Sequence, residues 1–165
     1  MNEIERLSAI IDLLVTYHPS GVMVLLGERP PLSDVEWFEL VQSIKSEDDI
    51  ERVDSSVNTD AFFGQIAAGD AIVQFLETLG TWETVVEAAR SFRKVFPADW
   101  NMFIDHVRYV DNPFSSRLYK ESMLARVATK YSVDPKTVTR RRKTVPLAIA
   151  REVIGGFQLA LFGEN

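Results

Sequence analysis

The chain lacks cysteine and has only two histidines among its 165 residues. The absence of cysteine excludes disulfide bonds, thiolate zinc sites and cysteine nucleophiles, and it fits an intracellular protein. Apolar runs such as GVMVLL (residues 21–26) are far shorter than the ~20 residues that a membrane-spanning helix needs. The amino terminus is acidic and lacks the basic start of a signal peptide. We therefore expect a soluble, cytoplasmic protein without a membrane partner.

The sequence also offers little for catalysis, and we expect no enzyme activity, no metal site and no cofactor. His106 follows Asp105, but adjacent residues on a helix point roughly 100° apart and do not face each other. His18 lies at a predicted helix end, where it is expected to cap. The acidic stretch at 46–54 lacks the alternating ligands and the glycine of a calcium loop, which favours an exposed connection. Residues 21–31 contain neither a phosphate-loop lysine nor a dinucleotide-binding glycine set.

Charge is unevenly distributed along the chain. The whole chain has 24 Asp and Glu against 18 Lys and Arg, a net charge of −6. Residues 116–151, however, contain ten of the basic residues and only two acidic ones, a net charge of +8, while the remainder carries −14. A polyanion responds to the charge within a Debye length, roughly 10 Å at moderate salt. The acidic total therefore does not exclude a nucleic-acid partner for the basic segment.

The spacing of apolar residues predicts a mainly all-α fold, a multi-helix bundle with at most a short hairpin near residues 22–27. A first helix is indicated by apolar residues at helical spacing, namely Ile4, Leu7, Ile11, Leu14 and Val15. Ser33, with Glu36 three residues later, has the pattern of a capping box, and Thr81 is placed to cap a later helix. Trp37, Trp82 and Trp100 have apolar neighbours inside helical patterns and are predicted to be core residues.

Two domains are predicted. Residues 1–95 would form an acidic helical body for oligomerisation or partner contact. Residues 97–165 would form a DNA-binding domain, with a helix that begins at Pro97, where a backbone N–H is not needed.

The pattern of a helix-turn-helix occurs between residues 124 and 143. One helix face is lined at i, i+3, i+4 and i+7 by Leu124, Val127, Ala128 and Tyr131. Val133 lies in the following turn, and Asp134 and Pro135 suit the N-cap and first position of a second helix. Val138 would point back to the first helix. The opposite face of the second helix would carry a polar, mostly cationic stripe made of Lys136, Thr139, Arg140 and Lys143.

Two positions depart from the usual form of this motif, and a proline follows it. Ser132 occupies a turn position that favours glycine because the backbone there needs a positive φ. Arg141, three residues after Val138, takes a position that usually packs inward, so its stem must snorkel or the helix must roll. Pro146 is expected to end or kink the second helix.

The predicted DNA-binding residues are those of the second helix, namely Lys136, Thr137, Thr139, Arg140, Arg141, Arg142 and Lys143. We assign Lys136 and Arg140 to base edges in the major groove, and Thr139 to either a base or a phosphate. Arg141, Arg142 and Lys143 are assigned to phosphates, where cationic side chains release counterions.

The segment from Pro97 to Arg151 resembles the region-four DNA-binding domain of bacterial sigma factors, and most of all the sigma-like late-gene transcription regulators of phages and prophages. The matching positions are Tyr109–Val110, Val127–Ala128, Val133, Thr137–Val138, Arg140, Arg142–Lys143 and Ile149–Ala150. The resemblance implies binding to specific sequences of double-stranded DNA, regulation of transcription and contact with RNA polymerase.

The sequence leaves two questions open. The C-terminal apolar stripe of Ile149, Val153, Phe157 and Leu161 is either core or the seam of a homodimer, which would pair two half-sites. The alternative to DNA binding is a protein-interaction module, such as a phage or prophage assembly or adaptor subunit, whose basic helix is solvated or binds acidic protein.

Overall fold

The computed structural model describes residues 2–44, 61–112 and 115–162, and all regular structure in these ranges is helical. The eight described helices are α1 (Glu3–Tyr17), α2 (Gly21–Leu25), α3 (Asp34–Gln42), α4 (Ala61–Leu79), α5 (Glu83–Val95), α6 (Pro97–Tyr109), α7 (Arg117–Lys130) and α8 (Pro135–Phe162). The all-α class predicted from periodicity is confirmed. The acidic stretch at 46–54 lies outside the described residues. Within those residues, no helix has both the length and the apolar composition that crossing a membrane requires.

Several helix starts agree with the local sequence signals. Ser33 and Glu36 form the expected capping box, in which the Ser33 hydroxyl accepts from the Glu36 N–H and the Glu36 carboxylate accepts from the Ser33 N–H. A second capping box, not predicted, joins Asn2 and Glu5 at the start of α1. The Thr81 hydroxyl accepts from the Glu83 N–H at 2.9 Å. These bonds satisfy N–H groups that have no partner inside their helices.

The short hairpin that the sequence allowed near residues 22–27 does not form, because this segment contains the short helix α2. Gly21 begins α2 in close contact with α1: a Cβ at this position would lie 2.1 Å from the carbonyl oxygen of Leu14. Only a residue without a side chain permits this approach. Val24 and Leu25 are buried on consecutive positions of the helix, so the apolar run reflects burial rather than strand pairing.

Of the two outcomes expected at Pro146, an end or a kink of the helix, the end is wrong, because α8 continues through this residue to Phe162. Proline removes one hydrogen bond of the helix and strains the preceding turn. Pro146 is itself buried, and Val145 and Ile149 on either side of it are almost fully buried. Packing of the helix on its neighbours therefore offsets the local cost.

The chain divides into two compact units, which we call the N-terminal unit (Met1–Glu87) and the C-terminal unit (Ala88–Asn165). The predicted domain boundary at residues 95–97, where α5 gives way to α6, lies inside the C-terminal unit.

The N-terminal unit has an apolar core built mainly from α1, α3 and α4. Four residues of α1 are fully buried, namely Leu7, Ile10, Ile11 and Leu14. Trp37 is buried and meets the ring of Trp82 edge-on, with the centroids 6.2 Å apart. The Trp82 indole N–H donates to the carbonyl of Val24 at 3.2 Å, so the polar atom of this ring is satisfied.

In the C-terminal unit, α6 packs against both α7 and α8, which also pack against each other. Phe103 of α6 and Ile149 of α8 are fully buried. Val153 and Ile154 are buried as well, so this part of the C-terminal apolar stripe belongs to the core of a single chain. The side chains of Phe157 and Leu161 lie outside the described residues.

Candidate nucleic-acid interface

Helices α7 and α8 are joined by a tight four-residue turn, residues 131–134. The Ser132 N–H donates to the carbonyl of Thr129 at 3.1 Å, and the Val133 N–H donates to the carbonyl of Ala128 at 3.0 Å. This bond pattern is a Schellman motif, which closes a helix with one residue in the left-handed region. Ser132 has φ 55°, the positive value that the sequence analysis expected at this position. The turn therefore fixes the direction in which α8 leaves α7.

The start of α8 is capped by Asp134. Its carboxylate accepts from the Lys136 N–H at 2.8 Å, and Pro135 occupies the first helical position. A negative side chain at a helix N-terminus also stabilises the helix through its interaction with the helix dipole. The two ends of the turn are thus held by two separate local motifs.

The six residues predicted as the core of the helix pair are brought together by the structure. Val127, Ala128 and Val138 are buried in one cluster, and the partly buried residues packed against it are Leu124, Tyr131 and Val133. The cluster includes Met102 of α6, which the sequence analysis did not assign to it. Val133 packs against this cluster, and an apolar contact by the residue at this position often accompanies a Schellman motif.

Three predicted DNA-binding residues lie together on the exposed face of α8. Lys136, Arg140 and Lys143 are all exposed, and their spacing of four and three residues puts them on one side of the helix. In the described part of the chain, none of the three is engaged in an ion pair. We call these three residues the cationic face. Thr137 and Thr139 lie at its edges, half-buried, and the Thr139 hydroxyl donates to the Pro135 carbonyl at 3.2 Å.

The assignment of Arg142 to a phosphate is wrong, because this arginine points into the protein. Only 6% of Arg142 is exposed, its Nε donates to the Asp111 carboxylate, and its guanidinium carbon lies 5.1 Å from the centroid of the Phe103 ring. Val138 and Val145 are buried four residues before and three residues after Arg142, so the three share the inward face of α8. That spacing was the available signal for an inward arginine.

Arg141 occupies an intermediate position. The sequence analysis expected an inward residue here, but 42% of the Arg141 side chain is exposed. Its Nε lies 3.2 Å from Oδ1 of Asp99, which makes an ion pair without good hydrogen-bond alignment. Each arginine of the triplet therefore has a different environment, and the phosphate role of Arg141 stays a prediction.

Asp105 and Asp111 of the C-terminal unit bind basic or polar groups of α7, of α8 and of the turn between them. Asp105 is buried and accepts from the Lys130 ammonium at 2.8 Å and from the Tyr131 hydroxyl at 2.6 Å. Asp111, which follows α6, binds Arg142 and lies 2.9 Å from Nδ1 of His106. Asp99, Asp105 and Asp111 form what we call the carboxylate row. The sequence analysis did not identify it, because the distances along the chain to its partners are long.

The pKa shifts follow from these contacts. Burial favours the neutral form of Asp111, but the imidazole of His106 and the charge of Arg142 outweigh it and lower the pKa of the carboxyl below its usual value. The hydrogen bond to Asp105 and the charge of that carboxylate raise the pKa of Lys130. Burial and the same carboxylate raise the pKa of Tyr131. The directions of these two shifts keep the Lys130 ammonium and the Asp111 carboxylate charged at neutral pH.

Both histidines make contacts within the fold. Asp105 is engaged by α7, and His106 contacts Asp111 instead of its neighbour in sequence. His18 caps α1, and its Nδ1 accepts from the Ser20 N–H at 3.0 Å. Across residues 2–44, 61–112 and 115–162, no three His, Cys, Asp or Glu side chains are grouped closely enough to hold a metal ion.

In the described part of the C-terminal unit, the packed helices thus carry a cationic face whose three side chains form no ion pair. Comparisons with protein-family models, with curated proteins and with solved structures gave no match to this chain.

Proposed function

We propose that the protein binds double-stranded DNA through the cationic face of α8 and regulates transcription. The observation that carries this proposal is the exposure of Lys136, Arg140 and Lys143 on one face, without a described ion-pair partner. Like charges four residues apart on a helix cost roughly 0.2–0.5 kcal/mol per pair. Another basic residue of the same helix, Arg142, is paired with the carboxylate of Asp111. Within the described ranges, the three residues of the cationic face have no such pairing. A polyanionic partner gives a reason for leaving all three uncompensated.

The dimensions of α8 suit the major groove only over its first turns. Lys136 and Lys143 are seven residues apart, or about 10 Å along the axis, which spans about three base pairs. The whole helix of 28 residues is about 42 Å long, whereas the groove is about 12 Å wide. The N-terminal turns of α8 would therefore enter the groove, while the part after Pro146 lies outside the groove, with Val153 and Ile154 in the protein core.

The side chains of the cationic face can be given separate roles. Arg140 projects from the middle of the face and can donate two parallel hydrogen bonds to a guanine edge. Lys136 is assigned to a base edge near the start of α8, and Lys143 to a phosphate. Arg151 is exposed 11 residues after Arg140, about 20° away around the helix axis, and extends the face toward the backbone of a longer duplex.

Binding to a duplex pool tests this proposal directly. Fluorescence anisotropy with a labelled duplex, at low and moderate salt, measures affinity for the native chain and for the double variant Arg140→Ala/Lys143→Ala. Two lost phosphate or base contacts predict a decrease in affinity of about 10-fold or more at low salt. The matched control is Arg93→Ala/Lys94→Ala, which removes the same charge from exposed positions on α5.

Equal affinities of the native chain and the α8 double variant would refute DNA binding by this face, as would equal losses in the two double variants. Selection from random duplexes addresses sequence specificity. Arg140→Ala should reduce the preference for the selected sequence more than the affinity for an unrelated duplex. Contact with RNA polymerase and formation of a dimer, both part of the proposed regulatory role, are tested by co-purification with the polymerase and by sedimentation.

A further inference from the structure

The N-terminal unit contains a cleft that the DNA-binding proposal does not use. It has a volume of about 170 Å³. Its walls come from the loop before α3, from α3, from α4 and from the start of α5. Apolar side chains form most of the lining, among them Leu32, Trp37, Val73, Leu76 and Trp82. Trp37 is buried, whereas Trp82 is half-exposed although its indole N–H is bonded.

The volume limits what the cleft can hold. Sites for cofactors and drug-sized ligands usually measure about 300–1,000 Å³. A cavity of about 150 Å³ is known to accept a molecule the size of benzene. A cleft of this volume therefore has room for one aromatic ring or one branched aliphatic side chain, and for little else. This is the size of a single anchor residue in a protein interface.

The charge at the cleft favours a basic partner. Among the described residues of the lining, the only charged groups are the carboxylates of Asp34 and Glu77, both of which are exposed. The surrounding unit, Met1–Glu87, has 17 acidic and 4 basic residues, a net charge of −13. Lysine or arginine on either side of an anchor residue would meet a negative surface, whereas acidic flanks would be repelled.

We infer that this cleft is a docking site for a partner protein that inserts one large apolar side chain from a segment flanked by lysine or arginine. The apolar lining supplies the affinity for the anchor, and the two carboxylates select the basic flanks. The inference does not depend on DNA binding, because all of the lining residues belong to the N-terminal unit.

The three tryptophans allow a site-resolved test on the full chain. Two of them, Trp37 and Trp82, line the cleft, while Trp100 is buried in the C-terminal unit and serves as an internal reference. Indole N–H signals in a heteronuclear NMR spectrum are followed during titration with a capped Lys-Lys-Leu-Lys-Lys peptide. Lys-Lys-Gly-Lys-Lys lacks the anchor, and Glu-Glu-Leu-Glu-Glu reverses the charge of the flanks.

The lysine peptide with leucine is expected to shift the signals of Trp37 and Trp82 but not that of Trp100. The glycine peptide should bind at least about tenfold more weakly, because burial of a leucine side chain is worth about 1.5–3 kcal/mol. Glu77→Gln should weaken binding about two- to fivefold, the range of a surface charge pair, while Glu39→Gln on the exposed side of α3 should leave it unchanged. Val73→Phe, which fills the cleft, should abolish the shifts while circular dichroism remains that of the folded protein.

Three results would overturn the inference. Equal binding of the leucine and glycine peptides would mean that the acidic surface attracts any polycation. Equal binding of the lysine-flanked and glutamate-flanked leucine peptides would mean that the two carboxylates do not select basic flanks. Shifts of Trp37 and Trp82 that follow protein concentration without any peptide would show that a second copy of this chain occupies the cleft.

Discussion

The two units of this chain treat charge in opposite ways. The N-terminal unit has 17 acidic and 4 basic residues, whereas the C-terminal unit has 7 acidic and 14 basic residues. The described core of the N-terminal unit is apolar, and acidic side chains such as Glu39, Glu77 and Glu87 are exposed. In the C-terminal unit, three aspartates lie on or just after α6 and bind basic side chains of α7 and α8.

The comparison shows that the charge count of a segment does not give the charge of its surface. The carboxylate row forms ion pairs with Lys130, Arg141 and Arg142, which remain exposed to different degrees. In the first turns of α8, the basic residues that the carboxylate row does not bind are those of the cationic face. The arrangement of acids inside the C-terminal unit thus decides which basic residues are available to a partner, and the predictions below test this division.

The largest effect is expected from Arg142→Ala, which removes one member of a buried ion pair. Leaving Asp111 without this partner should lower the free energy of unfolding by about 3–5 kcal/mol. Arg140→Ala, two residues earlier on the exposed face, should change it by less than about 0.5 kcal/mol. Urea unfolding followed by circular dichroism measures both. Similar values for the two variants would contradict the division between inward and outward arginines.

A substitution of glycine by alanine should have opposite signs in the two units. Gly21→Ala places a Cβ against the backbone of α1 and should destabilise the protein by about 1–3 kcal/mol. Gly155→Ala adds a methyl group in open space within α8 and should stabilise it by up to about 1 kcal/mol through helix propensity. Thermal unfolding of both variants tests this. A loss of stability in Gly155→Ala would contradict the open space around this position.

Acid should weaken the C-terminal unit through Asp111. The pKa of this carboxyl is lowered in the folded state, so its contribution is complete above the unfolded value of about 4 and is lost as the pH falls through the folded value. Unfolding at a series of pH values between neutral and strongly acidic should show a smaller dependence in Asp111→Asn. Glu87→Gln, at an exposed position, is the control. An unchanged pH dependence in Asp111→Asn would contradict the proposed role of the pair.

The smallest effect is expected at the turn between α7 and α8. Ser132→Gly relieves a positive φ and should raise the free energy of unfolding by about 1 kcal/mol. Ser132→Ala retains a Cβ in the same conformation and should give no gain. Chemical denaturation of the two variants distinguishes them, and a stabilisation by alanine equal to that by glycine would show that backbone strain is not the cause.

The local parts of this structure could be predicted from the sequence. The capping box of Ser33, the cap at Asp134 and the positive φ at Ser132 each depend on contacts within a few residues, and each was expected. The hairpin near residues 22–27 was not excluded, because a short apolar run does not distinguish a strand from a buried helix. The helix through Pro146 depends on packing that local signals do not contain.

The candidate site was predicted only in part. The cationic positions of Lys136, Arg140 and Lys143 follow from helical spacing, and the structure places them together. Arg142 was assigned to the exposed face because a run of basic residues contains no apolar residue that marks the buried side of the helix. Its partner Asp111 is 31 residues away, and no short-range pattern links the two. The spacing from Val138 and Val145 would have placed Arg142 inward.

The salt dependence of duplex binding tests the central claim most directly. Each phosphate contact contributes about 0.9 to the slope of the logarithm of affinity against the logarithm of salt concentration. The triple variant Lys136→Ala/Arg140→Ala/Lys143→Ala should reduce that slope by at least about 1, the contribution of Lys143 at a phosphate, and by up to about 3 where Lys136 and Arg140 also neutralise phosphates. A slope identical to that of the native chain would contradict the account.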